Sequence, residues 1–143
     1  IADQNAGDRG LFVPFFGRLA SSYKSIALLA INKNVPILCG AAHRTGPGFR
    51  YNLMINDAIT PDDWADHPYP LFYVTARYNR AMENAIRMHP EQYLWMHRRW
   101  KSRPVHERKG KPMSSTMRKQ LESLPWMDDG LMQQLQMPEP PQK

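Results

Sequence analysis

The sequence predicts a mixed α/β fold, because stretches with helical and with strand-like patterns of apolar residues alternate along it. A short helical stretch at 26–31 comes before two strand-like stretches at 35–42 and 49–55. The segment between these strands is short and contains glycine and proline, so we expect a turn that makes the strands antiparallel. A longer amphipathic stretch at 69–88 predicts the main helix.

The first apolar run, 11–17, contains Pro14 and predicts an edge strand or an extended segment that ends in a tight turn. Three serines come before the helix predicted at 26–31. Asn32 and Asn34 are residues of the type that ends a helix, so we expect it to stop there.

Cys39 is the only cysteine, which excludes an intrachain disulfide and a zinc site built from thiolates. Its neighbours are apolar, so the strand at 35–42 is predicted to be buried and Cys39 to be an inert part of it. The strand at 49–55 alternates apolar and polar residues in its first half, as a strand covered on one face does.

The helix predicted at 69–88 has one apolar face and one charged face. Pro70 is suited to its first turn, and Pro90 is expected to end it one or two residues earlier. Glu83 lies four residues before Arg87, a spacing that predicts an ion pair. The apolar face is formed by Leu71, Val74, Tyr78, Met82, Ala85 and Ile86.

Composition changes towards the end of the sequence and predicts two regions. Residues 1–104 are expected to form a folded part, with an Asp- and Pro-rich connector at 57–70. Beyond it proline, lysine, serine, glutamine and methionine dominate. We expect 105–143 to be a mostly disordered tail with a short helix near 116–124.

Positive charge is concentrated in one part of the sequence. The net charge is +6 and the isoelectric point is about 9.7. Residues 87–119 contain ten Lys or Arg residues and two glutamates, so this window carries +8 and the remainder −2. A local positive region predicts a local anionic partner such as phosphate head groups, nucleic acid or an acidic protein.

No apolar run is long enough to cross a membrane, so the sequence predicts no membrane-spanning helix in this chain. The first residue is isoleucine, and the opening residues lack the pattern of a signal peptide. We expect the sequence to be part of a longer protein.

No histidine has the neighbours of a general base or of a metal ligand. None of the five histidines is followed five residues later by an acid, and no histidine–carboxylate spacing matches a metal site. Nucleotide-binding and serine-hydrolase fingerprints are absent, so we expect no metal and no cofactor. Asp3 follows what reads as the end of a strand, where α/β proteins build their sites, although acids there also cap turns and helices.

The segment at 90–101 combines two tryptophans, a histidine and three cations. Arg98, Arg99 and Lys101 with their aromatic neighbours suit a ligand that has both a phosphate and an apolar part. Two other interpretations stay open: a solvated basic edge above core tryptophans, and a single strand of nucleic acid stacked on them. Adjacent side chains of a regular segment point apart, so the two arginines should not face one pocket. Like charges beside His97 predict a neutral imidazole.

Four motifs occur in order along the chain: Ala2-Asp-Gln, Phe12-Val-Pro-Phe-Phe-Gly, Val35-Pro-Ile, and Pro90-Glu-Gln-Tyr-Leu-Trp-Met-His-Arg-Arg-Trp-Lys-Ser-Arg-Pro. In this order and spacing they resemble the second half of the bacterial lipid A biosynthesis acyltransferases, the lauroyl and myristoyl transferases. The resemblance covers about residues 1–104, and its last motif is long and specific. The Phe-Phe-Gly and Val-Pro elements are shared more loosely with glycerolphosphate acyltransferases.

The resemblance implies a partial glycerolphosphate-acyltransferase-like sandwich, in which helices flank a mixed sheet. It implies an enzyme on the cytoplasmic face of the inner membrane. Such enzymes transfer a fatty acyl chain from acyl carrier protein to a hydroxyl of a phosphorylated glucosamine lipid precursor. The family's general base is the histidine of a His-x4-Asp/Glu motif. Since the sequence lacks this motif, we expect the chain alone to be inactive.

The resemblance also assigns roles to single residues. Asp3 matches an acid that supports the catalytic site, and Phe16 and Gly17 match the block that shapes the acceptor pocket. Ser21 and Ser22 depart from the family, where many relatives have threonine. The basic end of the last motif is assigned to bind lipid phosphate or the membrane surface; its residues are Arg98, Arg99 and Lys101.

The sequence therefore supports two hypotheses. The first is the C-terminal half of a lipid A type acyltransferase without its base. The second is a non-catalytic module that binds anionic lipid or nucleic acid through the basic-aromatic segment 87–119. Because nucleic-acid-binding signatures are missing, we expect acyl carrier protein, the lipid precursor and the membrane surface as partners, and no nucleic acid.

Overall fold

The computed structural model describes residues 2–136, so the end of the predicted tail, 137–143, lies outside the described residues. The predicted mixed α/β class is confirmed. One long helix is the central element, and both pairs of strands pack against it. Its buried face and the inner sides of the hairpins form the core, whose buried members include Val13, Ile59 and Val74.

The strands form two antiparallel hairpins. β1 (Leu11–Phe15) pairs with β2 (Arg18–Ser22), and β3 (Ile37–Arg44) pairs with β4 (Tyr51–Ile59). Among the described residues these are two separate two-stranded sheets. The larger mixed sheet of an acyltransferase-like sandwich stays a prediction.

Six α-helices occur in the described part of the chain. The predicted short and long helices are confirmed as α1 and α3, and α3 begins at Pro70 and ends before Pro90 as expected. Asn34 ends α1 in the left-handed conformation, with φ 51°. None of the helices in 2–136 combines the length and apolarity needed to cross a membrane. Their bounds are α1 (Ser25–Lys33), α2 (Pro61–Trp64), α3 (Pro70–Met88), α4 (Val105–Arg108), α5 (Ser115–Glu122) and α6 (Asp129–Gln136).

Two sequence interpretations were wrong, one of a strand and one of a connector. The strand predicted at 35–42 is not buried: Leu38 on β3 is 66% exposed, because the other face of the hairpin is the one that packs on α3. The connector predicted at 57–70 contains the end of β4 and all of α2. A capping box between Thr60 and Asp63 starts this helix.

The described part of the predicted tail, 105–136, is helical and not disordered. Leu121, Leu124 and Leu135 are buried in the same core that α3 lines. The prolines of this segment lie between helices, where they do not interrupt hydrogen bonding. The helix predicted near 116–124 is confirmed as α5.

Candidate functional site

Arg99 lies inside the protein, where it is only 1% exposed. Its Nη1 donates to the backbone oxygen of Ser21 at 2.5 Å. Its Nη2 donates to Ser22 Oγ at 2.6 Å and to Asn79 Oδ1 at 2.8 Å. The guanidinium also lies 5.1 Å from the ring centroid of Phe15. Arg99 therefore ties together β1, β2, α3 and the basic-aromatic segment.

Burial lowers the pKa of the Arg99 guanidinium, and the nearby acid Asp3 acts in the opposite direction. Arginine nevertheless stays protonated in proteins, so a buried cation is held here mainly by neutral acceptors. Because this cation does not reach the surface, a lipid phosphate cannot contact it in this structure. The structure therefore places Arg99 as a structural residue, in contrast to the phosphate-binding role expected from the resemblance.

Arg98 and Lys101, by contrast, are exposed. The chain around them is a series of tight turns: the Lys101 N–H donates to the Arg98 oxygen at 3.0 Å. The two neighbouring arginines do point apart, as expected. Exposed apolar side chains precede the two cations, and together they form what we call the 94–101 surface, made of Leu94, Trp95, Met96, Arg98 and Lys101.

Arg103, the last arginine of the same motif, also points inward and fastens it to the first hairpin. Its Nη1 donates to the Leu19 oxygen at 2.7 Å, and its Nε donates to Glu107 at 2.8 Å. Asn5 Nδ2 donates to Ser102 Oγ at 3.2 Å, which joins the motif to the beginning of the chain. The longest motif therefore stabilises the fold in addition to presenting a basic surface.

Phe16 and Gly17 form the two-residue turn between β1 and β2. Both have positive φ, 49° and 71°, the combination required by a type I′ turn. Glycine adopts this conformation freely, whereas a phenylalanine there costs about 1 kcal/mol. The expected strand ending in a tight turn is confirmed, whereas the strand that follows the turn, β2, was not predicted from the sequence.

A carboxylate of α3 holds this turn in place. The Phe16 N–H donates to Glu83 Oε2 at 2.7 Å. Glu83 also forms the predicted ion pair with Arg87, at 2.6 Å, and the Arg87 guanidinium lies 4.8 Å from the Phe16 ring. The Phe16 ring packs edge-on against Trp95 at 5.9 Å. The turn is therefore next to the 94–101 surface.

Asp3 lines a cavity of about 750 Å³ that runs along β3. The polar atoms Asp3 Oδ1, His43 Nε2 and Tyr93 Oη are buried, and no residue within 2–136 is their hydrogen-bond partner. Buried polar atoms are nearly always paired, so these three point to an interaction that the described residues do not supply.

Three ionisable groups in the wall of this cavity, Cys39, Tyr78 and Tyr93, have raised pKa values and stay neutral at pH 7. Burial raises the pKa of the Cys39 thiol to about 11 and that of Tyr78 to about 12. Burial also raises the pKa of Tyr93. A thiol kept protonated at neutral pH is a poor nucleophile, which agrees with an inert Cys39. No group of three potential metal ligands occurs among 2–136.

The predicted site residues thus lie in four places, one of which is the interior of the protein, where Arg99 is buried. Asp3 lines the cavity; Phe16 and Gly17 form a turn outside its lining; Arg98 and Lys101 lie on the surface. Sequence reasoning missed the residues that connect these places, above all Asn79, Ser22, Tyr93 and His43. The sequence contained one signal for these residues, since Asn79 is a polar residue within the apolar part of a strongly amphipathic helix. In the structure Asn79 is fully buried.

The model of the family "Bacterial lipid A biosynthesis acyltransferase" matches residues 1–102, which hold the cavity wall, both hairpins and the basic motif. The chain belongs to this family. A lipid A biosynthesis palmitoleoyltransferase of Escherichia coli (strain K12) is 35% identical over 112 residues, which are 73% of this chain and 33% of that protein. The lauroyltransferase of the same strain is 30% identical over 106 residues, which are 71% of this chain and 33% of that protein.

A lipid A biosynthesis acyltransferase of Haemophilus influenzae is 30% identical over 96 residues, 66% of this chain and 30% of that protein. The chain therefore spans about a third of the length of these relatives. No solved structure is significantly similar to the chain. The sequence-based recognition of the family is confirmed, and the relatives that the chain matches are named as acyltransferases.

Proposed function

We propose that this chain is the C-terminal part of an enzyme that transfers a fatty acyl chain from acyl carrier protein to a hydroxyl of a lipid A precursor. Membership of the family over residues 1–102 is the observation that carries this proposal. The general base is supplied by the His-x4-Asp/Glu motif of a region outside this chain, since none of the five histidines here has the required acid.

Asp3 has a supporting role in this proposal. Asp3 lines the cavity and its buried Oδ1 has no hydrogen-bond partner within 2–136, so we expect this oxygen to accept a hydrogen bond from a group of the catalytic region. A carboxylate that accepts from an imidazole N–H fixes the tautomer and orientation of that imidazole. We assign Phe16 and Gly17 to the acceptor pocket, as the resemblance implies, although their turn lies outside the lining of the cavity beside Asp3.

The 94–101 surface is the proposed contact with anionic lipid at the cytoplasmic face of the inner membrane. Its exposed tryptophan suits the membrane interface, where aromatic rings lie at the level of the head groups. Arg98 and Lys101 are available for lipid phosphate because their charges are on the surface. This division of roles transfers the phosphate-binding function from all three cations to the two exposed ones.

The test compares Arg98→Ala/Lys101→Ala with a control, Lys109→Ala/Lys111→Ala, in the complete polypeptide that carries this sequence. Each basic residue near an anionic surface contributes about 1 kcal/mol, so we expect the first variant to bind anionic vesicles about 30-fold more weakly. Its turnover of lipid precursor should fall in parallel while its melting temperature is unchanged. The control pair is also exposed but lies outside the 94–101 surface, so it should lose much less.

Two results would contradict the proposed function. Acyl transfer by residues 1–143 alone, with an acyl carrier protein thioester and lipid precursor, would show that the base is present after all. Tight, salt-sensitive binding of single-stranded oligonucleotides with no transferase activity in the complete polypeptide would favour the non-catalytic module.

A further inference from the structure

We propose that Gln134, on the last helix α6, determines specificity for the lipid acceptor by pairing with a hydroxyl or amide group of its glucosamine part. The inference rests on the proposed function, in which Phe16 and Gly17 belong to the acceptor pocket. It goes beyond the family assignment, because α6 lies after residues 1–102, the part that the family model matches.

The segment that carries α6 is fixed to the core that α3 lines. Leu121, Leu124 and Leu135 are buried among the core residues. A hydrogen bond of 3.1 Å joins His67 Nε2 to the backbone oxygen of Ser123. A binding site needs such a rigid support, because its polar groups must be held within about 0.5 Å of the productive geometry.

Trp126 provides a further attachment between α5 and α6. The guanidinium carbon of Arg80 lies 4.8 Å from the centroid of its indole ring. The indole and the ring of Tyr73 have centroids 6.0 Å apart. Because Tyr73 and Arg80 both belong to α3, contacts with the central helix determine where α6 begins.

The side chain of Gln134 lies directly on the turn between β1 and β2. A Cβ atom placed on Gly17 would lie 2.7 Å from Gln134 Cδ and 2.8 Å from its Oε1. Cβ atoms in proteins do not approach other atoms so closely, so the amide occupies space that only glycine leaves free. The turn thus contacts α6 through Gly17, and the 94–101 surface through the ring of Phe16.

The chemistry of Gln134 suits the polar part of the acceptor. Its amide has two N–H donors and a carbonyl acceptor, and no residue within 2–136 is hydrogen-bonded to it. The side chain is exposed, so a ligand bound on the turn can reach it. Hydroxyl and amide groups of a glucosamine lipid can pair with these atoms, whereas an acyl chain cannot. Because Arg98 and Lys101 supply the charge for phosphate, the neutral amide beside Gly17 suits the uncharged sugar.

The experiment measures acyl transfer by the complete polypeptide that carries this sequence, with an acyl carrier protein thioester as donor and lipid precursor as acceptor. We expect Gln134→Ala to raise KM for the acceptor about fivefold, as for one lost hydrogen bond. The KM for the donor and kcat should be unchanged. Gln134→Leu keeps bulk over Gly17 but removes the hydrogen-bonding groups, so it should have the same effect.

Gln133→Ala is the matched control. Gln133 is the same residue type, is also exposed and is the neighbour of Gln134 on α6, but the three atoms nearest to a Cβ on Gly17 all belong to Gln134. Neighbouring side chains on a helix point about 100° apart, so this variant should keep both KM values. Melting temperatures of all three variants should stay unchanged, because both glutamines are exposed.

Three results would overturn the inference: an unchanged acceptor KM in Gln134→Ala, unchanged kinetics in Gln134→Leu, or an equal rise of the acceptor KM in Gln133→Ala. Each of these results requires a polypeptide that transfers acyl chains, so each leaves the proposed function standing. If the unsubstituted polypeptide transfers no acyl chain to the precursor, the proposed function itself is wrong, and the inference is overturned with it.

Discussion

Two neighbouring arginines of this chain have opposite environments. Arg98 is exposed, whereas Arg99 is buried and donates to Ser21, Ser22 and Asn79. Sequence alone treats them as one basic cluster, because residue type does not reveal which side chain turns inward. The difference is decided by tight turns in the backbone and by acceptors far away in the sequence.

Stability measurements should separate the two arginines. We expect Arg99→Ala to lower the free energy of unfolding by about 3 kcal/mol, because it leaves buried acceptors without a donor. Arg98→Ala should change it by less than about 0.5 kcal/mol, as usual for an exposed side chain. Urea unfolding of both variants is the measurement. Equal midpoints for the two would show that the internal hydrogen bonds of Arg99 contribute nothing.

Cys39 should react slowly with alkylating agents. Burial raises the pKa of its thiol to about 11, with a further contribution from the negative charge of Asp57. At pH 8 the thiolate fraction is then about a hundredfold lower than that of an ordinary cysteine. We expect iodoacetamide labelling, followed by mass spectrometry, to accelerate with rising pH up to about the thiol pKa. The control is the chain unfolded in urea, and identical rates for both forms at pH 8 would refute the expectation.

At the scale of elements, the sequence predicts best what local chemistry determines. α3 was predictable because its apolar periodicity, Pro70 and the proline after its end all act within the helix. β2 was not predictable, because its two serines are typical of a loop. Ser22 can be buried because Arg99, 77 residues further along the sequence, donates a hydrogen bond to it. The cavity beside Asp3 was equally out of reach, because it depends on how β3 lies against α3.

Two glycines should respond to alanine to different degrees. Gly17 has φ 71°, so Gly17→Ala forces a side chain into the left-handed region and should cost about 1 kcal/mol. Gly130 lies in α6 without positive φ, and Gly130→Ala should change stability by less than about 0.5 kcal/mol, because the better helix propensity of alanine is offset by a Cβ contact of 3.3 Å with Asp128 Oδ1, which accepts from the Leu131 N–H. Thermal unfolding of both variants measures this. A neutral Gly17→Ala would mean that the β1–β2 turn relaxes to another type.

At the scale of the whole molecule, the chain is built around α3 from both ends of the sequence. The two hairpins come before α3 in the sequence, and the helices after residue 104 contribute to the same core. The family match ends at residue 102, so α4, α5 and α6 extend the matched part. Where the folded part ends along the sequence stays a prediction. Composition suggested a tail because proline and polar residues dominate there, but three of its leucines, Leu121, Leu124 and Leu135, are buried in the core.

This packing makes the last prediction specific to α5. Leu121 is 0% exposed and contacts the core, so Leu121→Ala should lower the free energy of unfolding by about 3 kcal/mol through lost contacts and a cavity. Lys119→Ala, exposed on the same helix, retains helix propensity and should change it by less than about 0.5 kcal/mol. Urea unfolding distinguishes the outcomes. If both variants unfold like the unsubstituted chain, α5 is detached in solution and the core is completed without it.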